Sequence, residues 1–493
     1  MQFSILATPT HKCGPLPRLG RTSLLAATVG AGMLLLTACK TLSPDGGMEP
    51  VAEFAIKELG KDVVAIRSDA DAVAARGAVE RLLKRPLTAD AAVQVALLNN
   101  RRLQAAYNEL GIAEADLVQA NLPPNPTLSL LRIAGSGELE IERRIIADIL
   151  ALATLPARSD IAADRFRQAQ LRAIAETVRV AVETRRVWYR TVAANETGRF
   201  LAQAQTAAES ATQLAKRLGE SGALNKLDQA REQVFYADIT AQVGIARQRA
   251  ESEREQLIRL LGLWGNDLNF RLASVLPALP ARPRSLPAIE TEAIRRRVDV
   301  QIARLEVDAL AKSYGLTNAT RFINLLEVAG VSKSTGPSDG NTVRQRGIEV
   351  DFQIPLFDFG EIRVRDAEQT YLAAVNRLTD KAIVVRSEAR DAYRVYRASY
   401  DIATHYQREI LPLRKIISDE TLLRYNAMQI DVFALLAEAR QRIGATTAAI
   451  DARRDFWLAN TNLFVAVVGG APPGDSGEPA KTAVVTTGDA AGH

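Results

Sequence analysis

Residues Ile348-Glu-Val-Asp-Phe-Gln-Ile354 alternate without interruption: Ile348, Val350, Phe352 and Ile354 are apolar, and Glu349, Asp351 and Gln353 between them are polar. A period of two belongs to a β-strand, whose successive side chains point to opposite faces. Such a strand requires an apolar phase on one side and water on the other. In a soluble domain the apolar phase is a core; in a membrane barrel with a wet interior it is lipid, and the polar side chains line the lumen. The chain offers only about four strands of this kind, and an open sheet edge in lipid leaves backbone groups unpaired. Several copies would therefore have to share one barrel. In it, Glu349, Asp351 and Gln353 are candidate lumen residues, setting a polar conduit rather than a binding site.

Working outward, the strand closes the second of two similarly ordered halves. Asn100-Arg-Arg-Leu-Gln-Ala-Ala-Tyr107 opens a helix near Leu103, and Arg297-Val-Asp-Val-Gln-Ile-Ala-Arg304 opens one near Val300. Each is followed by a helix of about 20 residues, a strand-like run, a loop, a second strand-like run, a proline and a very long helix. Half one gives Thr127 to Ala134, Glu138 to about Ile146, and Pro156 as the proline before its long helix. Half two gives Arg321 to Val331, Gln345 to Ile354, and Pro355. The order is more alike than the residues.

The long helices carry coiled-coil seams. Val385, Ala389, Ala392, Tyr396, Ser399, Ala403, Tyr406 and Ile410 keep a four-three spacing, and Leu171, Ile174, Val178, Ala181, Trp188 and Val192 do so with a break at Arg185. A helix of about 55 residues is on the order of 80 Å long, more than a globular domain needs. Helices alone would equally suit a coiled-coil dimer or a spectrin-like bundle. The strand pairs at equivalent points of both halves favour the barrel.

Composition agrees with slim helices: of 493 residues, 47% are hydrophobic but only 5% aromatic. The net charge of +5 supplies no basic patch of the kind nucleic acid requires. The N-terminus has basic Lys12, Arg18 and Arg21, an apolar run Leu24 to Leu36, and then Leu36-Thr-Ala-Cys39. It reads as a cleaved export signal, 1–38, ending in a lipoprotein box with Cys39 as the lipid anchor. Loss of the three basic residues takes the charge to +2. Cys13 and Cys39 are the only cysteines and His11, His405 and His493 the only histidines, so neither a disulfide nor a metal site is expected. There is no HExxH, Walker-type loop, GxSxG elbow or strand-linked GxGxxG, so no enzyme and no cofactor is expected. The expected organisation is a lipidated N-terminal segment 39–86, mixed and mostly polar, a first repeat 87–276, a Pro-rich linker 277–287, a second repeat 288–468, and a disordered tail 469–493.

The lipobox, the repeated helix openings, Asn121-Leu-Pro-Pro-Asn-Pro126 before the first strand and Ile354-Pro-Leu-Phe-Asp-Phe-Gly360 after the last resemble the outer-membrane efflux proteins, the TolC-like family, in its lipoprotein branch. The resemblance covers roughly Leu87 to Val468 and lies in order and spacing. It implies a mainly α fold with a small membrane β-barrel: a homotrimer in which each chain gives four strands to a shared twelve-strand barrel, with long helices forming a periplasmic α-barrel. It further implies a passive exit duct in the outer membrane that docks through a periplasmic adaptor (membrane fusion) protein onto an inner-membrane pump. A type I secretion duct, or a periplasmic coiled-coil scaffold, are the alternatives.

The resemblance also points to a periplasmic tip where paired helices turn. Gly222-Ala-Leu-Asn-Lys-Leu-Asp228 and Ala427-Met-Gln-Ile-Asp-Val-Phe433 are the matching turns, with Gly222 as a helix breaker and Asn225 or Asp431 as caps. Some relatives carry aspartate rings slightly downstream; here Ala434 and Ala437 stand there. Gly222, Asn225, Asp228, Met428, Asp431 and Glu438 are the candidate gate or adaptor-contact residues, weighed against service as caps and solvated charges.

Overall fold

Four antiparallel strands form one sheet in sequence order: β1 (Thr127–Gly135), β2 (Glu138–Asp148), β3 (Leu325–Pro337) and β4 (Val343–Gln353). The computed structural model describes residues 42–469 apart from 136–137, 223 and 338–339. The readings of an export signal, of Cys39 and of nearly all of the tail lie outside the described residues. The two hairpins come from different halves of the chain and meet through β2 and β3, which pair along their lengths from Glu138↔Pro337 to Asp148↔Glu327. β1 and β4 are the edges.

Each hairpin grows from one end of a helix pair, and the halves match closely there. In the first, α3 (Ala89–Asn99) passes through the single extended residue Asn100 into α4 (Arg101–Asn121); in the second, α7 (Ile289–Arg296) passes through Arg297 into α8 (Val298–Ala319). Asn100 and Arg297 have nearly the same backbone angles, φ −70°, ψ 116° and φ −62°, ψ 124°. Their side chains solve the turn differently. Asn100 accepts from the Leu103 amide at 3.1 Å as an N-cap. Arg297 is buried and holds Asp299 at 2.8 Å while also pairing with Glu388.

After the sheet the helices lengthen. β2 runs directly into α5 (Ile149–Glu220), 72 residues and about 108 Å, which returns as α6 (Lys226–Leu261). After β4 come α9 (Glu361–His405), a π turn Tyr406–Ile410, α10 (Leu411–Asn426) and the returning α11 (Val432–Val468). Pro156 does not open the first long helix: it lies inside α5, which starts at Ile149 because the Asp148 carboxylate accepts from the Ala151 amide at 2.8 Å. Similarly, β3 begins at Leu325 rather than at Arg321, since residues 320–323 form a turn. The second half enters its helix through a left-handed pair, Phe359 (φ 48°) and Gly360 (φ 73°). A Cβ on Gly360 would run into the Arg321 carbonyl, so glycine is required twice over.

The main core gathers where both halves cross. Trp188 is buried in α5 and donates its indole N–H to the Leu87 carbonyl at 3.0 Å, and Tyr107 meets Thr177 at 3.0 Å. Burial pushes the Tyr107 phenol well above its ordinary value. The seam readings hold at Ile174, Val178, Ala181, Trp188 and Val192, and at Val385, Ala389, Tyr396 and Ala403; Tyr400 rather than Ser399 is buried between them. The proline-rich stretch 277–287 is extended and strapped to these helices: the Pro277 carbonyl accepts from Trp457, those of Pro280 and Ala281 accept from Tyr400, and the Arg284 amide donates to Tyr396.

The N-terminal segment is more ordered than its polar composition suggests. It forms α1 (Glu49–Phe54) with a π turn Ala55–Leu59, then α2 (Asp69–Leu83), burying Val51, Ala55, Leu59 and Val79. No helix among the described residues is long and apolar enough to cross a membrane.

Candidate functional site: the sheet and the helical tip

The register sorts the sheet into two chemically distinct faces, because residues directly opposite each other share a face. Val350 pairs with Val328 and through it Ala147, Phe352 with Leu326, and Ile348 with Gly330, Ile145 and Leu128. These form one apolar band, and it is bare in the single chain: Ile348 is 80% exposed and Phe352 60%. Below it, the β4–α9 turn adds Leu356, Phe357 and Phe359, all exposed. A contiguous apolar surface on this scale calls for a partner phase.

The opposite face collects the carboxylates. Asp351 pairs with Glu327 and through it Asp148, and Glu349 lies in the same file, two residues from Asp351. Arg144 reaches Glu349 at 3.4 Å and also pairs with Glu142, while Lys333 meets Glu140 at 2.5 Å. The structure thus brings Glu349, Asp351 and Gln353 together on one file of β4, and adds Glu142, Glu327, Arg144 and Lys333 from strands whose alternation is less regular. β2 hides its pattern because Arg143-Arg144 and Ile145-Ile146 are doublets, so only its partners reveal which member faces which way.

At the far end of the helices lie two tight turns. The first, between α5 and α6, carries Gly222 at φ 76°, and Asn225 caps α6 by accepting from the Asp228 amide at 2.9 Å. Asn225 donates in turn to the Asp228 carboxylate at 2.6 Å, which also pairs with Arg231 at 3.0 Å. The second, between α10 and α11, carries Met428 at φ 58°, 94% exposed, and Asp431 caps α11 through the Ala434 amide at 2.9 Å. Asp228 and Asp431 are therefore held locally. Glu438 is buried and takes Arg414 of α10 at 3.2 Å.

One residue that the sequence reading passed over completes this network. Glu232 lies seven residues after the cap Asn225, just as Glu438 lies seven after the cap Asp431, and both are buried. Glu232 accepts from Arg440 of α11 at 3.4 Å, and the same guanidinium sits 4.4 Å over the Phe235 ring. Arg440 thereby ties the second hairpin to the first. Glu232 and Arg440 are one per half and 208 positions apart, so no local spacing exposes the pair; the repeat itself was the available signal. Each of the two glutamates keeps one buried oxygen with no hydrogen-bond partner.

That arrangement gives a pH dependence. Burial raises the Glu232 pKa above the ordinary 4.5, opposed by Arg440 and reinforced by Asp228. The folded state therefore holds this proton more tightly than the unfolded one, and the stability it confers is lost as pH rises through the window above 4.5. Glu232→Gln should gain thermal stability relative to the wild type at pH 7 and lose that advantage at pH 4, read from paired melting curves. An advantage independent of pH would contradict the assignment.

Among the described residues no group of three or more His, Cys, Asp or Glu is placed to hold a metal ion. His405 is exposed at the end of α9, 3.0 Å from Glu409.

The comparisons with known proteins bear on this architecture directly. The sequence profile described as "Outer membrane efflux protein" matches residues 291–427. The cobalt-zinc-cadmium resistance protein CzcC of Cupriavidus metallidurans is 26% identical over 323 residues, covering 62% of this chain and 73% of that protein. The second half of the chain thus resembles the outer membrane efflux proteins. Solved outer-membrane channels carry the same fold. The Campylobacter jejuni outer membrane channel CmeC superposes with a TM-score of 0.67 at 16% identity, over 81% of this chain and 87% of that one. The outer-membrane channel OprN gives 0.65 at 18% identity, over 83% and 97%.

Proposed function

We propose that the protein is the outer-membrane exit duct of a tripartite efflux system, passively conducting substrates out of the periplasm. The observation that carries this is the sheet: four strands, one face apolar and one acidic, with both edges unpaired and helices on the order of 100 Å rising from its base. A passive duct needs no catalytic centre, in keeping with a channel family rather than an enzyme family.

The finer parts of the reading follow from closure. Three copies would supply twelve strands, each β4 edge meeting the β1 edge of the next copy, so that the membrane portion has no free edge. The tip, with Gly222, Asn225, Asp228, Met428, Asp431 and Glu438, is where a periplasmic adaptor would engage and the helices would gate; the inner-membrane pump supplies the energy. Cys39 would carry the lipid. The likeness to a cobalt-zinc-cadmium resistance protein and the acidic inner face together support divalent cations as the first cargo class to assay.

Closure has a direct test. β1 and β4 are opposite edges of one chain's sheet, so a cysteine on each can join only between copies. The native cysteines, Cys13 and Cys39, lie well before the sheet. Cysteines placed at Leu128 or Leu130 together with Ile348 or Val350, oxidised in outer membranes, should yield covalent dimers and trimers for at least one pair. Monomers alone across the whole panel would refute the shared barrel.

A further inference from the structure

The lipid-facing side of the sheet is not apolar to its end. Beyond the row Leu128–Ile145–Gly330–Ile348, toward the hairpin tips, the next row is Leu130–Arg143–Ser332–Arg346 and the one after is Arg132–Ile141–Ser334–Arg344. Four arginines thus occupy two successive rows. Arg143 and Arg346 flank Ser332 at about 10 Å, two strand spacings, and Arg132 lies diagonal to Arg143. All four are exposed. Every carboxylate of the four strands lies on the other face, so among the described strand residues no acid on this side neutralises them. Among the described residues none of the four makes an ion pair, whereas Arg144 and Lys333 on the inner face both do.

Arginine in a row at the edge of a lipid-facing band is costly in hydrocarbon and favourable against anionic headgroups. Its planar fork matches phosphate, and the part-exposed Ser332 between Arg143 and Arg346 adds a hydroxyl donor. The helices leave from the opposite ends of the strands, so on the duct reading, on which this inference rests, the arginine rows stand at the outer leaflet. We propose that the rows containing Arg132, Arg143, Arg344 and Arg346 form a docking site for the phosphate groups of outer-leaflet glycolipid. The bound phosphates would fix the depth of the barrel, with the apolar rows below in the hydrocarbon.

The test uses the purified full-length oligomer and lipid A bearing two phosphates, with enzymatically dephosphorylated lipid A as the comparison, binding being read by native mass spectrometry. The wild type should retain the phosphorylated form and not the dephosphorylated one. R143Q/R346Q should bind it at least about tenfold more weakly, given roughly fivefold per interfacial cation, and R143K/R346K should fall between. Should the glutamine pair fail to assemble, R346Q alone and the lysine pair carry the same comparison. Equal retention of both lipids, or glutamine and lysine variants that bind like the wild type, would overturn the proposal. Conductance of the same preparations is measured in parallel: lipid retention without conductance would fail the duct reading alone, and conductance without phosphate-dependent retention would fail this inference alone.

Discussion

Val350→Arg should abolish stable insertion into the outer membrane. Val350 sits in the middle of the apolar band, paired with Val328 and flanked along its strand by Ile348 and Phe352. A cation on the lipid face of a membrane barrel costs about 2–4 kcal/mol near the midplane, and the proposed shared barrel would carry the substitution once per copy, so a trimer would lose roughly 6–12 kcal/mol. Arginine at the neighbouring Glu349 or Asp351 lies on the opposite, carboxylate-bearing face, which the proposed duct turns to its lumen, and should leave insertion intact. The measurement is the fraction of protein recovered as a heat-modifiable oligomer in outer membranes. The reading of the two faces would be wrong if Glu349→Arg were as damaging as Val350→Arg, or if neither mattered.

Trp188→Ala should be the most destabilising single truncation in the helical portion. The side chain is fully buried, packs edge-on against Tyr189 at 5.3 Å between ring centroids, and donates to the Leu87 carbonyl. Removing a buried indole costs about 3–5 kcal/mol through lost burial and the cavity left behind, and the Leu87 carbonyl loses its side-chain donor. Because Leu87 precedes α3 and its own amide donates to the Arg271 carbonyl at 2.8 Å, the loss should loosen the entry to the first repeat. Thermal melting followed by helical circular dichroism should show a clear drop for Trp188→Ala and a smaller one for Trp188→Phe. Identical melting of the two variants would show that the pocket, not the volume of the indole, had been misjudged.

Much of this fold is legible in the sequence where a periodic signal and a stop signal coincide. β4 reads cleanly because its alternation is unbroken, and both tip turns read cleanly because a helix breaker or cap marks each. Pro156 misleads because the strand-to-helix transition is set upstream by the Asp148 cap, and tertiary packing then carries the helix through the proline. The helices of the N-terminal segment are not legible for a different reason: its apolar residues, among them Val51, Leu59 and Val79, become one buried face only when laid on other helices. The candidate site is split in the same way. The polar file on β4 follows from local alternation, while the Glu232–Arg440 tie depends on two helices from different halves meeting side by side. The arginine rows needed the strand register, since Arg132, Arg143 and Arg346 lie on three strands and share no spacing.

The central claim, a water-filled duct, is tested most directly by single-channel recording in planar bilayers of the oligomer extracted from outer membranes. The account predicts discrete conductance steps with a cation-selective reversal potential, because carboxylates crowd the inner face, and more frequent or larger steps in Arg440→Ala, where the tie between the tip hairpins is cut. An oligomer that inserts yet gives no steps, either as wild type or as Arg440→Ala, would contradict it.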